Sequence, residues 1–427
     1  MSPSINSVDT CWLLVSSSFV FFMIVGLAFF YAGLVRKKNA LNTMMMSFIP
    51  MGIVSITWAL IGYSLAYSDG NLFIGGLDFA FMNGVGLEAT EDGGIPRILD
   101  FLFQGTFAII TTALISGAVV ERIHFRAYML FIFIWSILVY APMAKWVWGG
   151  GLFEHLWLGQ AIDFAGGTVV HINAAISAVV LSLFIGKRKD IGKLAMLPHQ
   201  VPFTLLGAGI LWFGWFGFNG GSAYAANAEA ALAMANTLLA PAAAIICWSL
   251  LDCLYTKRVT AVGLATSIIV GLVAITPGAG LMSPLSAILI GALSTFPCYF
   301  IIMWRSRTAF DDSLDVFGAH GLGGIVGSLL TGLFISKAWG SEVDGSYLQV
   351  LVQAIAVIIA IGYSAVMTYI IASLINLVIP FRVEENAEKQ GLDIAMHGEE
   401  AYTEGEGALL ILERDSLAVK NLAEQNL

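Results

Sequence analysis

The sequence predicts an all-α membrane protein that crosses the bilayer eleven times. Composition is the first observation behind this prediction, because 58% of the 427 residues are hydrophobic and only 11% are charged, whereas soluble domains carry roughly 25% charged residues. The second observation is a series of apolar segments long enough to span a membrane, and the third is an uneven distribution of lysine and arginine among the loops. Together they exclude a soluble globular domain.

Each helical crossing needs about 20 predominantly apolar residues. Eleven segments meet this requirement, so the two ends of the chain are predicted on opposite sides of the membrane. The opening "MSPSINSVDT" lacks the basic stretch of a signal peptide, and we therefore expect the first span to be retained. The predicted spans are 10–34, 42–66, 99–119, 126–145, 163–186, 200–219, 227–254, 259–276, 283–304, 317–336 and 346–380.

The basic residues orient these spans. Thirteen of them lie in the odd-numbered loops and three (Arg97, Lys145 and Lys337) lie in the even-numbered loops. Cytoplasmic loops are enriched in lysine and arginine, which predicts an N-terminus outside and a C-terminus inside the cell. We expect a multi-pass protein of a bacterial inner membrane, with a transmembrane domain over 1–381 and a cytoplasmic tail over 382–427.

The net charge of −9 comes mostly from that tail. Residues 382–427 contain 11 acidic and 4 basic side chains, a net of −7, which leaves −2 for the remainder. No basic patch indicates a nucleic-acid partner. The four cysteines form no CxxC pair, so neither a zinc site nor a disulfide framework is indicated, and we expect no metal and no cofactor.

Two similar segments suggest an internal inverted repeat. "DFAGGTVVH" enters the fifth span from one side, and "DVFGAHG", from Asp315 to Gly321, enters the tenth span from the other. An odd number of helices per repeat reverses its orientation and places a site at the interface between repeats. The predicted repeats are about 10–186 and 200–336, followed by one extra helix over 346–380.

These segments place ionisable side chains in the membrane, where they are costly and commonly functional. Counted at 1.5 Å per residue, His171 lies about 12 Å along the fifth span from Asp163, near the bilayer centre. His320 enters from the opposite face, so the two imidazoles can meet. Each histidine is also compatible with simple packing. Asp163 can cap its helix or hold a cation, and Asp315 invites the same interpretation.

Aromatic residues collect at the outer ends of three spans: Phe103 and Phe107 in "FLFQGTF", Trp148 in "WVWGG", and Phe218 before Ser222 in "WFGWFGFNGGS". Aromatic faces with a hydroxyl can hold a small cation. An interfacial aromatic belt is the alternative, which we prefer for Trp146 and Trp212.

At these residues the chain resembles the Amt/Mep/Rh ammonium transporter family. The resemblance covers roughly residues 10–402 and rests on "DFAGGTVVHINAAISAVVLSLFIGKRK", "GWFGFNGGSA", "VWGGG", "FQGTFA", "DVFGAHGLGGIVG", "FFYAGLVRKKN" and "GLDIAMHGEEAY". It implies an eleven-span subunit with inverted five-helix repeats, a homotrimer, and one pore per subunit. It also implies contact of the tail with PII-type regulatory proteins.

The resemblance assigns roles to individual positions. By similarity, ammonium would bind outside at Phe107, Trp148 and Ser222, above a gate of Phe107 and Phe218. Asp163 and Thr276 would support this region. The pore would contain His171, His320, Phe30 and Tyr31. Ammonium would lose its proton near the gate, and ammonia would pass the histidines.

Two other functions compete with transport. The first is an ammonium sensor on the same fold, coupled to a signalling partner through the extension after Tyr402. The second is a membrane redox protein in which His171 and His320 bind a haem. A membrane protease is disfavoured because the sequence has no HExxH motif.

Overall fold

The computed structural model describes residues 4–90, 94–193 and 196–402, and within these ranges the regular secondary structure is helical. Eleven described helices are long and apolar enough to cross a membrane, as predicted, which makes this a multi-pass membrane protein. They are α1 (Ser7–Leu34), α2 (Lys37–Tyr67), α3 (Arg97–Ala118), α4 (Phe125–Trp148), α5 (Gly167–Ile185), α6 (Val201–Gly221), α7 (Ala228–Tyr255), α8 (Ala261–Gly278), α9 (Pro284–Arg305), α10 (Phe317–Phe334) and α11 (Tyr347–Asn376).

With eleven crossings, the N-terminus and the tail lie on opposite faces, here called the N-terminal face and the C-terminal face. Helices with odd numbers begin at the N-terminal face, and helices with even numbers begin at the C-terminal face. Lipid-facing positions carry apolar side chains such as Ile56, Leu183 and Ile358, which are each at least 60% exposed in the isolated chain. This distribution of exposed apolar side chains matches the hydrocarbon core of a lipid bilayer.

Side chains cap the helices at the boundary between the membrane and the loops. Asn6 accepts hydrogen bonds from the amides of Val8 and Asp9 at the start of α1, and Ser346 accepts one from Gln349 at the start of α11. The first four amides of any helix have no partner inside that helix. Such caps reduce the cost of burying these amides at the membrane boundary.

Helices α1 and α6 pack with their backbones in close contact. A Cβ atom added to Gly207 of α6 would lie 2.3 Å from the amide nitrogen of Phe30 in α1. Only glycine fits at this distance, as is common between membrane helices. The contact fixes Phe30 in the interior of the protein, where the residue is 6% exposed.

A buried ionic network joins the loops of the C-terminal face. Glu121 is fully buried and forms ion pairs with Arg36 at 3.1 Å and Arg188 at 2.7 Å. Arg188 also pairs with Asp311 at 2.8 Å. Removing one partner from a buried pair leaves an uncompensated charge, which is strongly destabilising. The network therefore holds the ends of α1, α3 and α5 beside the start of α10.

The first part of the tail packs against this face. A short helix, α12 (Glu385–Gln390), is followed by a turn in which the carboxylate of Asp393 accepts hydrogen bonds from the amides of Leu41 and Asn42 at 3.0 and 2.7 Å. The hydroxyl of Tyr402 lies 3.3 Å from the ring nitrogen Nε2 of His199. The predicted extension over 403–427 lies outside the described residues.

Candidate functional site

Three aromatic rings from α3, α4 and α6 meet near the N-terminal face. The ring centroids of Phe107 and Phe218 are 4.2 Å apart at an interplanar angle of 31°. Trp148 stands perpendicular to Phe107 with its centroid at 5.9 Å. Both phenylalanine rings are at most 2% exposed, whereas Trp148 is partly exposed. The sequence-predicted aromatic residues therefore form one cluster, with Trp148 on its outer side.

Ser222 lies directly after the last turn of α6, four residues beyond Phe218. Its hydroxyl donates a hydrogen bond to the Phe218 carbonyl at 2.9 Å, while the residue stays partly exposed. A hydroxyl that donates one hydrogen bond keeps lone pairs free to accept others. Ser222 can therefore offer an oxygen acceptor at the edge of the aromatic cluster.

Asp163 caps helix α5. Its carboxylate accepts four backbone hydrogen bonds, from Gly166 (2.9 Å), Gly167 (2.6 Å), Thr168 (2.7 Å) and Val169 (3.2 Å). The helix consequently begins at Gly167 rather than at 163, four residues later than the sequence predicts. The negative charge at this helix N-terminus is stabilised by the helix dipole.

The local chain links Asp163 to the aromatic cluster. The indole nitrogen of Trp148 donates to the Asp163 carbonyl at 2.8 Å. Gly166 has φ of +110°, a conformation that L side chains rarely adopt, and an added Cβ would lie 3.3 Å from the Trp148 ring. Asp163 therefore positions both the start of α5 and the tryptophan of the cluster.

His171 and His320 meet in the interior of the protein. Their Nδ1 atoms are 3.2 Å apart, and their ring planes are inclined by 26°. The residues are 1% and 5% exposed. Each lies in a π-helical turn at the start of its helix, Gly167–Ile172 and Phe317–Gly321. Such wide turns are rare and frequent at functional sites.

Trp215 is part of this site, although the sequence analysis assigned it no role. Its ring stacks on His171 with centroids 5.3 Å apart and an interplanar angle of 22°. The hydroxyl oxygen of Thr276 accepts the Trp215 indole N–H at 2.9 Å. Thr276 thus acts on the site through Trp215. Trp215 lies three residues before Phe218 in α6, and this spacing is the sequence signal that could have identified it.

An apolar cavity lies beside Phe218 and the two histidines. Its lining includes Phe218, Phe30, His171 and His320. The polar groups of the lining are the two imidazoles and the indole of Trp215. The remaining lining residues are Met23, Leu27, Ile110, Leu114, Leu211, Trp215 and Ile269.

Phe30 and Tyr31 are placed differently. The Phe30 ring lines the cavity, whereas Tyr31 does not. Tyr31 is buried behind it and donates its hydroxyl proton to the Leu114 carbonyl at 3.0 Å. Tyr31 therefore packs behind the residues that line the cavity and is not itself part of the lining.

The expectation that Asp315 caps α10 is wrong. Asp312 does so, because its carboxylate accepts the amides of Val316 (3.0 Å) and Phe317 (2.7 Å). Asp315 forms an ion pair with Arg305 and has a left-handed backbone with φ of +58°. Asp312 precedes His320 by eight residues, the same spacing that separates Asp163 from His171. This shared spacing, overlooked in the sequence analysis, identifies the matching aspartate.

The geometry of the two histidines does not favour a metal or haem site. The two Nδ1 atoms contact each other rather than lie on either side of an open coordination site. Within the described residues, no group of three histidine, cysteine or acidic side chains is arranged to hold a metal ion. The geometry instead shows a membrane protein in which a cluster of aromatic rings lies next to a small apolar cavity that contains two histidines.

Comparison with known proteins identifies the family. Residues 11–402 match the Ammonium Transporter Family, and the chain is 46% identical over 400 residues to an ammonium transporter of Aquifex aeolicus, with 92% of this chain and 93% of that protein covered. The chain therefore belongs to the ammonium transporter family, a family of transporters rather than enzymes.

Solved structures agree with this assignment. Candida albicans Mep2 matches with a TM-score of 0.84 and 33% identity, over 90% of this chain and 88% of that one. A structure described as a sensor Amt protein matches with a TM-score of 0.84 and 29% identity, over 91% of this chain and 98% of that one.

Proposed function

We propose that this protein transports ammonium by binding the ion outside, removing its proton and conducting ammonia through the histidine-containing cavity. The observation that carries the proposal is the lining of that cavity, which is apolar except for His171, His320 and the indole of Trp215. Such a lining accepts a small neutral molecule with hydrogen-bonding capacity and disfavours an ion. Family membership supports the choice of ammonium as substrate.

The energetic reason for deprotonation is the cost of moving a bare cation into a medium of low dielectric constant. The idealised Born cost of such a transfer is on the order of 20 kcal/mol. Ammonia carries no charge and avoids most of it. Potassium has no proton to lose, so the same cavity excludes it.

The entrance fits the first step. Trp148 and Phe107 offer ring faces at right angles, and Ser222 offers an oxygen, which together suit a cation with N–H donors. Phe107 and Phe218 then separate this entrance from the cavity, because their rings are nearly stacked and buried. The two rings must move apart for a molecule to pass.

The histidine pair fits the second step. With the Nδ1 atoms 3.2 Å apart, one must carry a proton and the other must accept it. The two rings then present one Nε2 donor and one Nε2 acceptor. Nε2 of His171 has no partner among the described residues, so it is available to a passing molecule. Ammonia both donates and accepts, which matches this pair.

The remaining features of the proposal rest on the distribution of basic residues among the loops and on the resemblance to the family. The N-terminal face, with the aromatic entrance, is outside, and the C-terminal face is in the cytoplasm of a bacterium. Subunits assemble as homotrimers with one pore each, and the two five-helix repeats are inverted. The tail contacts a PII-type protein.

A sensor is the second candidate function. It is favoured by the similarity to a sensor Amt protein and by the close packing of Asp393 and Tyr402 on the C-terminal face, which could report the state of the pore to a signalling partner. Transport and sensing differ in one measurable respect, which is flux through the cavity.

The test is uptake of ¹⁵N-ammonium into proteoliposomes at mildly acidic pH, where little free ammonia crosses bare lipid. The proposal expects uptake above that of empty liposomes, and expects that His171→Ala/His320→Ala abolishes selective uptake without loss of ammonium binding. Binding without uptake in the native protein would favour the sensor. Uptake of rubidium, a tracer for potassium, at a rate comparable to that of ammonium would refute exclusion by deprotonation.

A further inference from the structure

A directed chain of hydrogen bonds lies beside the aromatic cluster at the N-terminal face. Nε2 of Gln104 lies 2.5 Å from the hydroxyl oxygen of Tyr224. This hydroxyl lies 2.9 Å from Oδ1 of Asp100. The Tyr63 hydroxyl donates to the other carboxylate oxygen of Asp100 at 2.5 Å. The chain joins α2, α3 and the loop after α6, and none of its members belongs to the proposed transport site.

The chemistry of the groups fixes the direction of this chain. An ionised carboxylate only accepts, so the single hydroxyl proton of Tyr224 goes to Asp100. The Tyr224 oxygen must then accept from Nε2 of Gln104, which determines the orientation of the amide. The amide oxygen Oε1 of Gln104 therefore points away from Tyr224, and it has no hydrogen-bond partner among the described residues although Gln104 is only 6% exposed.

A buried acceptor without a donor is unfavourable. Gln104 is held in this state by Tyr224, because rotating its amide would set an oxygen against the lone pairs of a phenol whose proton is already used. The arrangement leaves Oε1 of Gln104 able to accept a hydrogen bond from a donor outside the protein, which a bound solute can supply.

Gln104 lies next to the proposed ammonium entrance. Asp100, Gln104 and Phe107 follow each other at intervals of four and three residues, which places them on one side of α3. The Phe103 ring packs between Tyr224 and Phe107, with its centroid 5.6 Å from that of Tyr224 and 5.0 Å from that of Phe107. The unpaired oxygen therefore sits about one helical turn outward of the gate.

We propose that Gln104 forms a second ammonium subsite, outward of the one at Phe107, Trp148 and Ser222. This inference rests on the proposed function. Oε1 of Gln104 accepts an N–H of the cation, and the ring of Tyr224 borders it. Asp100 is a positioning residue that acts through Tyr224 and does not touch the cation. The guanidinium of Arg97, which lies over the Phe79 ring, offsets part of the Asp100 charge.

The subsite requires a cation that donates hydrogen bonds. Ammonium and methylammonium qualify, whereas sodium does not. Occupation of this position would raise the local concentration of substrate at the gate, because the cation meets a fixed acceptor before it reaches the aromatic rings. The subsite therefore affects the apparent KM for uptake more than the maximal rate.

The decisive variant is Gln104→Leu, which has nearly the same shape and no acceptor. We expect the KM for ammonium uptake, and the ammonium concentration that protects the purified protein against thermal unfolding, each to rise about tenfold, the equivalent of one lost hydrogen bond to a charged ligand. The maximal rate should stay near that of the native protein. The unfolding temperature without ammonium should change little, because the variant removes an unpaired buried oxygen together with the Nε2 hydrogen bond to Tyr224.

Two further variants separate ligand binding from structure. Tyr224→Phe frees the Gln104 amide to rotate, and we expect a smaller rise in KM in the same direction. Gln349→Leu is the matched control, since Gln349 is a buried glutamine whose Nε2 is bonded to the Gln160 carbonyl at 2.9 Å. It should lower the unfolding temperature and leave the KM unchanged.

An unchanged KM and unchanged thermal protection in Gln104→Leu would overturn the subsite. A loss of stability with an unchanged KM would also overturn it, because Gln104 would then be structural. If the native protein took up no ammonium at all, the proposed transport function would fail, and the subsite would be judged by the thermal protection that ammonium chloride gives relative to sodium chloride.

Discussion

The Nδ1 atoms of His171 and His320 lie 3.2 Å apart, close enough to share one proton. Two helices that enter the membrane from opposite faces bring them together, and each helix starts with a π-helical turn capped by an aspartate eight residues before the histidine. The contact leaves the pair neutral, because adding a second proton would set two N–H groups against each other. In the proposed mechanism, this neutrality lets ammonia pass and gives a cation no counter-charge.

Acidic side chains at these two positions should remove that barrier. In the variant His171→Asp/His320→Glu, carboxylates would offset the charge of an entering cation, and we expect measurable potassium uptake that the native protein lacks. The check is rubidium tracer uptake into proteoliposomes, with His155→Glu as a control outside the cavity. Continued rejection of potassium by a folded double variant would contradict exclusion by desolvation.

Removing the cap of α5 should affect both stability and transport. Asp163→Ala leaves four backbone amides without their acceptor, which we expect to lower the free energy of unfolding by about 1–3 kcal/mol. The start of α5 and the Trp148 indole would shift together, so ammonium uptake should fall severely. Thermal unfolding and tracer uptake measure the two effects. A variant with native values for both would show that the four hydrogen bonds do not hold the entrance.

The two aspartates before α10 should differ in effect. Asp312→Ala removes the acceptor for Val316 and Phe317 and should reduce uptake strongly, because His320 lies in the turn that this cap begins. Asp315→Ala is the control. It breaks the surface-side pair with Arg305 and should lower uptake less. Equal loss in both variants would mean that the ion pair matters as much as the cap.

Docking of the tail should depend on pH through two groups of opposite sign. Burial raises the pKa of Asp393 to about 6, so the docked carboxyl binds a proton more tightly than the free one and docking strengthens as pH falls through about 6. Burial lowers the pKa of His397, so docking weakens as its imidazole takes up a proton.

Single variants separate these two effects. In His397→Gln, acidification should strengthen docking, and in Asp393→Asn it should weaken docking. Hydrogen exchange at the amides of α12, corrected for its intrinsic pH dependence, reports both directions. Slopes of the same sign in the two variants would show that other groups control the tail.

The eleven spans and the two histidines could be predicted from the sequence, because a long apolar segment has few alternatives and an imidazole within one stands out. The cap of α10 could not be assigned in the same way. Asp312 and Asp315 are both acidic and close to the helix, and only the hydrogen bonds distinguish them. Trp215 escaped notice because aromatic residues at membrane helix ends are common. Its stacking on His171 depends on the rotation of α6, which the backbone contact at Gly207 sets.

The central claim is that nitrogen crosses as ammonia after ammonium gives up its proton at the entrance. Its most direct test is the current and the tracer uptake that follow equal jumps of ammonium and of potassium, recorded on the same proteoliposomes with His171→Ala/His320→Ala as control. We expect ammonium-dependent uptake and no potassium current in the native protein, and loss of the ammonium-dependent uptake in the control, whose more apolar cavity still excludes potassium. Equal currents from potassium and ammonium in the native protein would contradict it.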